Sequence, residues 1–133
     1  MSIRLAFLLA SLCALEQRVM AQNPQTKATS LLTKDLLGIP GKEGSMLTVE
    51  YAPGQSSASH RHNASTFVYV LEGSVVMQVK GGKLMTLGPG ETFFESPDDI
   101  HVVSRNASDT KPAKILVFFV KEKGAPGSVL APQ

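Results

Sequence analysis

Three histidines are the residues of this chain whose type and spacing could do chemistry, and they lie at positions 60, 62 and 101. Residues two apart in a β-strand point to the same face of a sheet, so His60 and His62 should project together. His101 follows a Pro-Asp-Asp turn and opens a separate predicted strand, from which it could complete the group. Neutral imidazole is a ligand for iron, nickel, copper and zinc and also serves manganese, with metal–nitrogen distances of about 2.0–2.1 Å for zinc. We therefore predict that these three side chains bind one divalent metal ion, whose identity the pattern leaves open.

The elements that must position these side chains are a series of short predicted strands. Stretches rich in β-branched and aromatic residues are separated by Gly, Pro and Asp turn signals, a pattern typical of an antiparallel sandwich or barrel. Apart from the amino-terminal segment, no stretch shows a helical period over a helix-sized length. We predict an all-β fold, a small antiparallel β-barrel or jelly roll, with strands at 45–51, 66–71, 74–80, 83–87, 91–95, 100–105 and 114–121.

Residues 1–21 have the pattern of a secretory signal peptide. Arg4 precedes an apolar run at 5–15, which is too short to span a bilayer because spanning takes about 20 residues. Ala21 lies where a signal peptidase would cut, and the sole cysteine, Cys13, lies upstream of it. A mature chain without cysteine has neither disulfides nor thiolate ligands. We predict a periplasmic or secreted protein; the alternative is an amphipathic or core amino-terminal helix.

The rest of the chain is predicted to be one domain flanked by an amino-terminal segment and a carboxyl-terminal tail. Residues 22–44 are polar and expected to be loose or to reach a sheet edge, residues 45–121 form the predicted barrel, and residues 122–133 resemble a flexible tail. The net charge is only +2 and the basic residues are scattered. This balance argues against nucleic acid and, after signal cleavage, against a membrane as partner.

Two spacings resemble the motifs of the cupin superfamily. The first is Gly54-x5-His60-x-His62-x3-Thr66-x6-Gly73, and the second is Gly90-x5-Ser96-Pro97-Asp98-x2-His101. The motifs stand in the order found in small single-barrel cupins, and the resemblance covers about residues 45–120. It implies the barrel fold and the metal ligands His60, His62 and His101. It does not fix an activity, because cupins include oxygenases, isomerases, lyases, binding proteins and storage proteins.

The chain departs from the cupin pattern at the usual carboxylate ligand, whose place is taken by Thr66. Three neutral ligands would leave the ion its full positive charge and open coordination positions, as in catalytic sites. The alternative is a degenerate site that binds metal weakly. Glu95 is a candidate replacement for the missing carboxylate, although a glutamate at a strand end is more often solvated.

Strand alternation also predicts the wall of the cavity. Side chains two and four positions from Thr66 or from His101 should face the same interior. An arginine in that set could receive a substrate carboxylate or phosphate, or could lie in solvent at the barrel rim. The predicted pocket residues are Val68, Val70, Val103 and Arg105.

Paired phenylalanines on neighbouring predicted strands should each turn one ring inward and one outward. The outward rings are candidates for a homodimer interface, with ordinary partial burial as the alternative. The pairs are Phe93-Phe94 and Phe118-Phe119.

Two classes of function follow from the predicted centre. The first is a metalloenzyme acting on a small organic substrate, with a dioxygenase as the leading version and isomerase or lyase chemistry as variants. The second is a non-catalytic module that binds a metal or a small ligand. A purely structural barrel with vestigial histidines is a third possibility, and the catalytic residues stay unassigned.

Overall fold

The computed structural model describes residues 26–131, which form ten β-strands and no helix. Short apolar stretches and frequent turn residues favour strands over helices, as the sequence predicts. The strands are β1 Lys27–Asp35, β2 Lys42–Tyr51, β3 His60–Arg61, β4 Ala64–Glu72, β5 Val75–Val79, β6 Met85–Leu87, β7 Thr92–Glu95, β8 His101–Asn106, β9 Ala113–Glu122 and β10 Val129–Leu130.

Two antiparallel five-stranded sheets pack face to face. One has the order β1-β2-β9-β4-β7 and the other the order β10-β3-β8-β5-β6. The chain passes repeatedly from one sheet to the other, which is the arrangement of a jelly roll. The predicted all-β barrel is therefore confirmed, and each predicted strand overlaps an observed one.

The core lies between the sheets and is built by strand alternation. On β9 the burial alternates along the whole strand, so that every second side chain enters the core. On β4 the same alternation buries Thr66, Val68 and Val70 while Phe67 and Tyr69 face outward. The buried apolar cluster consists of Tyr51, Ala64, Val68, Val70, Val75, Met77, Leu87, Ala113, Ile115, Val117 and Phe119.

A strand lies near each end of the described chain. Residues 27–35 form the edge strand β1 on β2, so the amino-terminal segment reaches the sheet edge rather than staying loose. The predicted flexible tail instead turns back at 124–128, and β10 pairs with β3. Neither strand shows the alternation from which strands are predicted, because every side chain of β1 is exposed and β10 is only two residues long.

The predicted signal peptide, residues 1–21, lies outside the described residues. Within residues 26–131, no helix is long and apolar enough to cross a membrane.

Gly73 is the glycine with the tightest surroundings, at the turn between β4 and β5. Its φ is +69°, and a Cβ at this position would lie 2.4 Å from the Pro112 carbonyl oxygen. Gly81 has φ +80°, and a Cβ added there would meet nothing within 4 Å. Both alanine substitutions carry the left-handed backbone cost of about 1–2 kcal/mol, and only Gly73→Ala adds a backbone clash.

We therefore expect Gly73→Ala to lower the free energy of unfolding by at least about 3 kcal/mol, and Gly81→Ala to lower it by about 1 kcal/mol. Chemical denaturation of the two variants beside the unchanged protein measures both values. Equal losses in the two variants would contradict the assigned contact between Gly73 and the β8–β9 connection.

Candidate metal centre

The three histidines meet at one point inside the barrel. His60 on β3 is the cross-strand partner of His101 on β8, and their ring centroids lie 5.0 Å apart. The ring of His62 lies 4.7 Å from that of His60. One nitrogen of each ring lies within 4.8 Å of the others. The three side chains are therefore positioned to bind one metal ion, as the sequence predicts.

Backbone carbonyls fix the orientation of two of these rings. His60 Nδ1 lies 2.8 Å from the Ala58 carbonyl oxygen, and His62 Nδ1 lies 2.7 Å from that of Gly127. A carbonyl oxygen can only accept a hydrogen bond, so each Nδ1 carries the proton and donates it. In the neutral form of either ring this leaves a lone pair on Nε2, which is the form that binds a metal.

These two Nε2 atoms lie 3.2 Å apart. Two lone pairs at that separation repel each other unless a cation lies between them. Two ligand atoms that each lie about 2.0–2.2 Å from one ion are about 2.8–4.0 Å apart at ordinary coordination angles. Both the facing lone pairs and the 3.2 Å separation of the two nitrogens fit a divalent ion bound between them. The carbonyl bonds are the outer contacts that typically orient metal-binding histidines.

Burial keeps His60 in the form that binds metal. Loss of hydration lowers the pKa of its imidazole, and the neighbouring imidazoles of His62 and His101 lower it further. The hydrogen bond to Ala58 acts in the opposite direction without reversing the shift. His60 is therefore neutral at neutral pH, which is the state required of a ligand.

The position expected to carry a carboxylate holds Thr66, which is fully buried on β4. Its hydroxyl donates to the Ala64 carbonyl of its own strand at 3.3 Å. Glu95 on β7 is the cross-strand partner of Thr66 and is only 2% exposed, so this strand-end glutamate is not solvated. Its Oε1 lies 3.2 Å from His101 Nδ1, and its Oε2 lies 3.7 Å from His62 Nε2.

The ionisation of Glu95 follows from these neighbours. Burial favours the neutral acid and by itself raises the pKa of the carboxyl. The contact with His101 and the favourable electrostatic interaction with the surrounding imidazoles outweigh burial, so that the pKa of Glu95 is lowered. The centre therefore contains a buried carboxylate that the cupin spacing does not predict.

The centre opens onto a cavity of about 750 Å³ between the sheets. Val68 lines this cavity, as strand alternation predicts. Val70 points inward as expected but is sealed in the core, fully buried and away from the cavity lining. Apolar side chains on β2 and β9 supply much of the remaining wall: Leu47, Val49, Ile115, Val117 and Phe119.

The prediction that Val103 and Arg105 line the pocket is wrong, because neither residue is part of the cavity lining. A β-bulge on β8 pairs Gln78 with Val103 but Val79 with His101, which leaves one extra residue between the paired positions. The extra residue reverses the alternation beyond His101. Ser104 consequently faces the cavity, while Arg105 is exposed at the surface.

Polar groups also line the cavity. The hydroxyl of Tyr51 lies 2.7 Å from that of Ser104, and both are buried. Burial raises the pKa of Tyr51, so its hydroxyl stays protonated at neutral pH. Lys121 forms a buried ion pair with Glu43 and also donates to the Ala125 carbonyl at 2.7 Å. This pairing neutralises the lysine, so it does not make the cavity cationic.

The carboxyl-terminal segment is a part of the site that sequence reasoning missed. It contributes the Gly127 carbonyl that orients His62, and β10 covers β3 beside His60. A Cβ at Gly127 would lie 3.3 Å from the Phe119 ring, so the small residue permits this close approach. No motif in the sequence indicates this contact, because the group that Gly127 contributes is its backbone carbonyl oxygen.

The fold and the site together define a class of protein, a small double-sheet β-barrel with a three-histidine centre on its cavity wall. The Cupin domain family model matches residues 47–119, which is more than half of the chain. The chain therefore belongs to the cupin family, and the resemblance carried by its two motifs is confirmed. A search of the curated proteins gave no significant match.

Solved structures share this fold. An uncharacterised protein with a double-stranded β-helix domain from Klebsiella pneumoniae aligns with a TM-score of 0.63 and 22% identity, over 84% of this chain and 88% of that one. The DMSP lyase DddQ of Ruegeria pomeroyi aligns with a TM-score of 0.58 and 23% identity, over 66% and 43%. An oxalate oxidase in complex with the substrate analogue glycolate aligns with a TM-score of 0.59 and 28% identity, over 80% and 55%. The chain thus spans about half the length of these two enzymes.

Metal binding should stabilise the folded chain, because the centre is assembled only on folding. At a free metal concentration 100 times the dissociation constant, we expect a gain of about 2.7 kcal/mol. The measurement is thermal unfolding of the tag-free protein with and without Zn²⁺ or Mn²⁺. The double variant His60→Ala/His62→Ala should show no shift.

The matched control is Arg61→Ala. Arg61 lies between the two histidines but points to the opposite side of β3 by strand alternation. It should keep the metal-induced shift in full. An equal shift in all three proteins would mean that the metal binds outside the histidine centre.

Proposed function

We propose that this cupin is a metal-dependent enzyme that acts on a small organic molecule, with an oxygenase as the leading version. The observation that carries the proposal is the pair of bare Nε2 atoms 3.2 Å apart on the wall of a 750 Å³ cavity. Histidine ligands from one side of an ion leave positions open toward the cavity, which is typical of catalytic rather than structural sites. The cavity volume falls within the range of small-molecule sites.

The residues of the chain divide the remaining tasks. A bound divalent ion would supply Lewis-acid polarisation and, if redox-active, a place for dioxygen. The carbonyls of Ala58 and Gly127 hold two rings in the ligand tautomer. The apolar wall excludes water and packs against the carbon skeleton of a substrate. The protonated Tyr51 hydroxyl and its partner Ser104 line the same cavity and can hydrogen-bond to a substrate oxygen.

A small anionic substrate suits this centre. A bound ion would be the main positive charge on the cavity wall, because Lys121 is paired with Glu43 and Arg105 is exposed. A carboxylate or enolate oxygen would therefore be drawn to the metal. The likeness to the oxalate oxidase bound to glycolate supports oxygen-dependent chemistry on such substrates, and the likeness to the DMSP lyase keeps the lyase variant open.

The test is oxygen uptake by tag-free protein loaded separately with Fe(II), Mn, Ni, Cu or Zn. The substrate panel is diketones, flavonols, thiols and small carboxylic acids such as oxalate. We expect turnover with at least one redox-active metal, reduced to background in His60→Ala/His62→Ala and retained in Arg61→Ala.

Product analysis by mass spectrometry on the same panel detects isomerase or lyase chemistry that consumes no oxygen. Metal binding without turnover in either assay would contradict the enzymatic proposal. That result would favour the second class, a non-catalytic module that binds a metal or small ligand.

Export remains a proposal that rests on the sequence pattern of residues 1–21. An exported protein would acquire its metal outside the cytoplasm, where the Irving–Williams order favours copper or zinc at an open nitrogen site. The measurement is the amino-terminal sequence of the protein recovered from its native host. A mature chain starting at Gln22 supports export, and an intact amino terminus contradicts it.

A homodimer is the proposed assembly, supported by an aromatic cluster on the outer face of the β4–β9–β7 region. Phe67 and Phe94 are each 49% exposed, and their ring centroids lie 5.1 Å apart. Phe118 extends the cluster, with its ring 6.2 Å from that of Phe67. Exposed aromatic groups of this kind mark interaction surfaces. Sedimentation of the protein beside Phe67→Ser/Phe94→Ser distinguishes a dimer at this face from a monomer.

A further inference from the structure

Thr66 and Glu95 form a facing pair on two neighbouring strands. They are cross-strand partners on β4 and β7, and both are buried at the edge of the histidine cluster. The hydroxyl of Thr66 donates a hydrogen bond to the Ala64 carbonyl of its own strand. Of this pair, only Glu95 contacts the histidines.

Glu95 lies within ion-pair distance of His62 and His101, but these contacts lack hydrogen-bond geometry. Oε1 lies 3.2 Å from His101 Nδ1, yet both nitrogens of His101 lack an aligned hydrogen-bond partner. Oε2 is buried and has no partner at all. A buried carboxylate oxygen without a partner is costly, so its position calls for a cation.

The second contact points to where the cation would lie. Oε2 lies 3.7 Å from His62 Nε2, which carries a lone pair in the metal-binding form of the ring because that ring donates through Nδ1 to Gly127. Two unshared pairs therefore face each other across 3.7 Å. That separation falls within the range of about 2.8–4.0 Å expected of two ligands on one ion.

We propose that Glu95 is a fourth protein ligand of the metal centre and supplies from β7 the carboxylate that Thr66 cannot supply from β4. The proposal rests on the metal centre of the proposed function and specifies its composition. One carboxylate reduces the charge of the centre by one and favours a harder ion than three imidazoles alone. It also joins the two sheets, because β7 lies in one sheet and β3 and β8 in the other.

The facing pair allows a sharp experiment with Co²⁺ as the probe. The dissociation constant is measured by calorimetry and the ligand set by visible absorption of the Co²⁺ protein. Glu95→Thr should weaken binding by more than about 100-fold, beyond the about 10–100-fold typical of losing an outer contact, and should change the absorption bands. The swap Thr66→Glu/Glu95→Thr returns a carboxylate to the opposite strand and should recover most of the affinity and the bands.

Two further variants control for folding and charge. Glu95→Gln keeps the shape and an oxygen donor but removes the charge, so binding should be intermediate. Glu72→Gln removes an exposed carboxylate at the far end of β4 and should leave binding unchanged. Circular dichroism of each metal-free variant verifies that the barrel is folded.

The remaining outcomes distinguish a failure of this proposal from a failure of the metal centre on which the proposed function rests. If Glu95→Thr binds Co²⁺ within about 3-fold of the unchanged protein (a small fraction of the loss predicted for a ligand) and with the same bands, Glu95 is not a ligand. Weaker binding with unchanged bands, not recovered by the swap, assigns Glu95 to an outer, orienting role and also overturns the proposal. If the unchanged protein and His60→Ala/His62→Ala alike bind no Co²⁺, the metal centre itself has failed.

Discussion

Two imidazole nitrogens with unshared electron pairs face each other across 3.2 Å, and the function of this barrel depends on that contact. It is unfavourable by itself and becomes favourable when a cation lies between the two atoms. The rings cannot rotate away from this contact without losing hydrogen bonds, because their Nδ1 atoms donate to the carbonyls of Ala58 and Gly127. A buried carboxylate oxygen that also lacks a partner stands beside them. The folded chain thus holds the lone pairs of two imidazoles and one carboxylate close together. This arrangement is favourable only when a positive charge lies between them.

The rest of the architecture serves this constraint. The two sheets bring side chains of β3, β8 and β7 together on the cavity wall, so that ligands distant in sequence become neighbours. The carboxyl-terminal segment pairs with β3 and contributes the backbone oxygen of Gly127. The apolar wall keeps the dielectric low, which strengthens each electrostatic interaction inside. The tyrosine and serine hydroxyls line the same cavity, where they can hydrogen-bond to a small substrate.

Local periodicity predicts a large part of this arrangement. The two-residue spacing of His60 and His62 suffices to place them together, and alternation along β4 and β9 predicts the core. The cupin spacing adds His101. The prediction fails where one residue alters a strand: the bulge on β8 turns Arg105 outward and Ser104 inward. The position of Glu95 depends on the pairing of β7 with β4, and the role of Gly127 depends on a backbone atom. Neither is encoded in a spacing along the chain.

The most direct test of this account is an anomalous-scattering X-ray measurement on crystals of the tag-free protein grown with a divalent metal. The account predicts one strong peak per chain, at about 2.0–2.2 Å from His60 Nε2 and His62 Nε2, with His101 completing the histidine set. A density map without a peak between these rings, at a metal concentration that saturates ordinary protein sites, would contradict it. The barrel would then be a cupin whose converging histidines bind no metal.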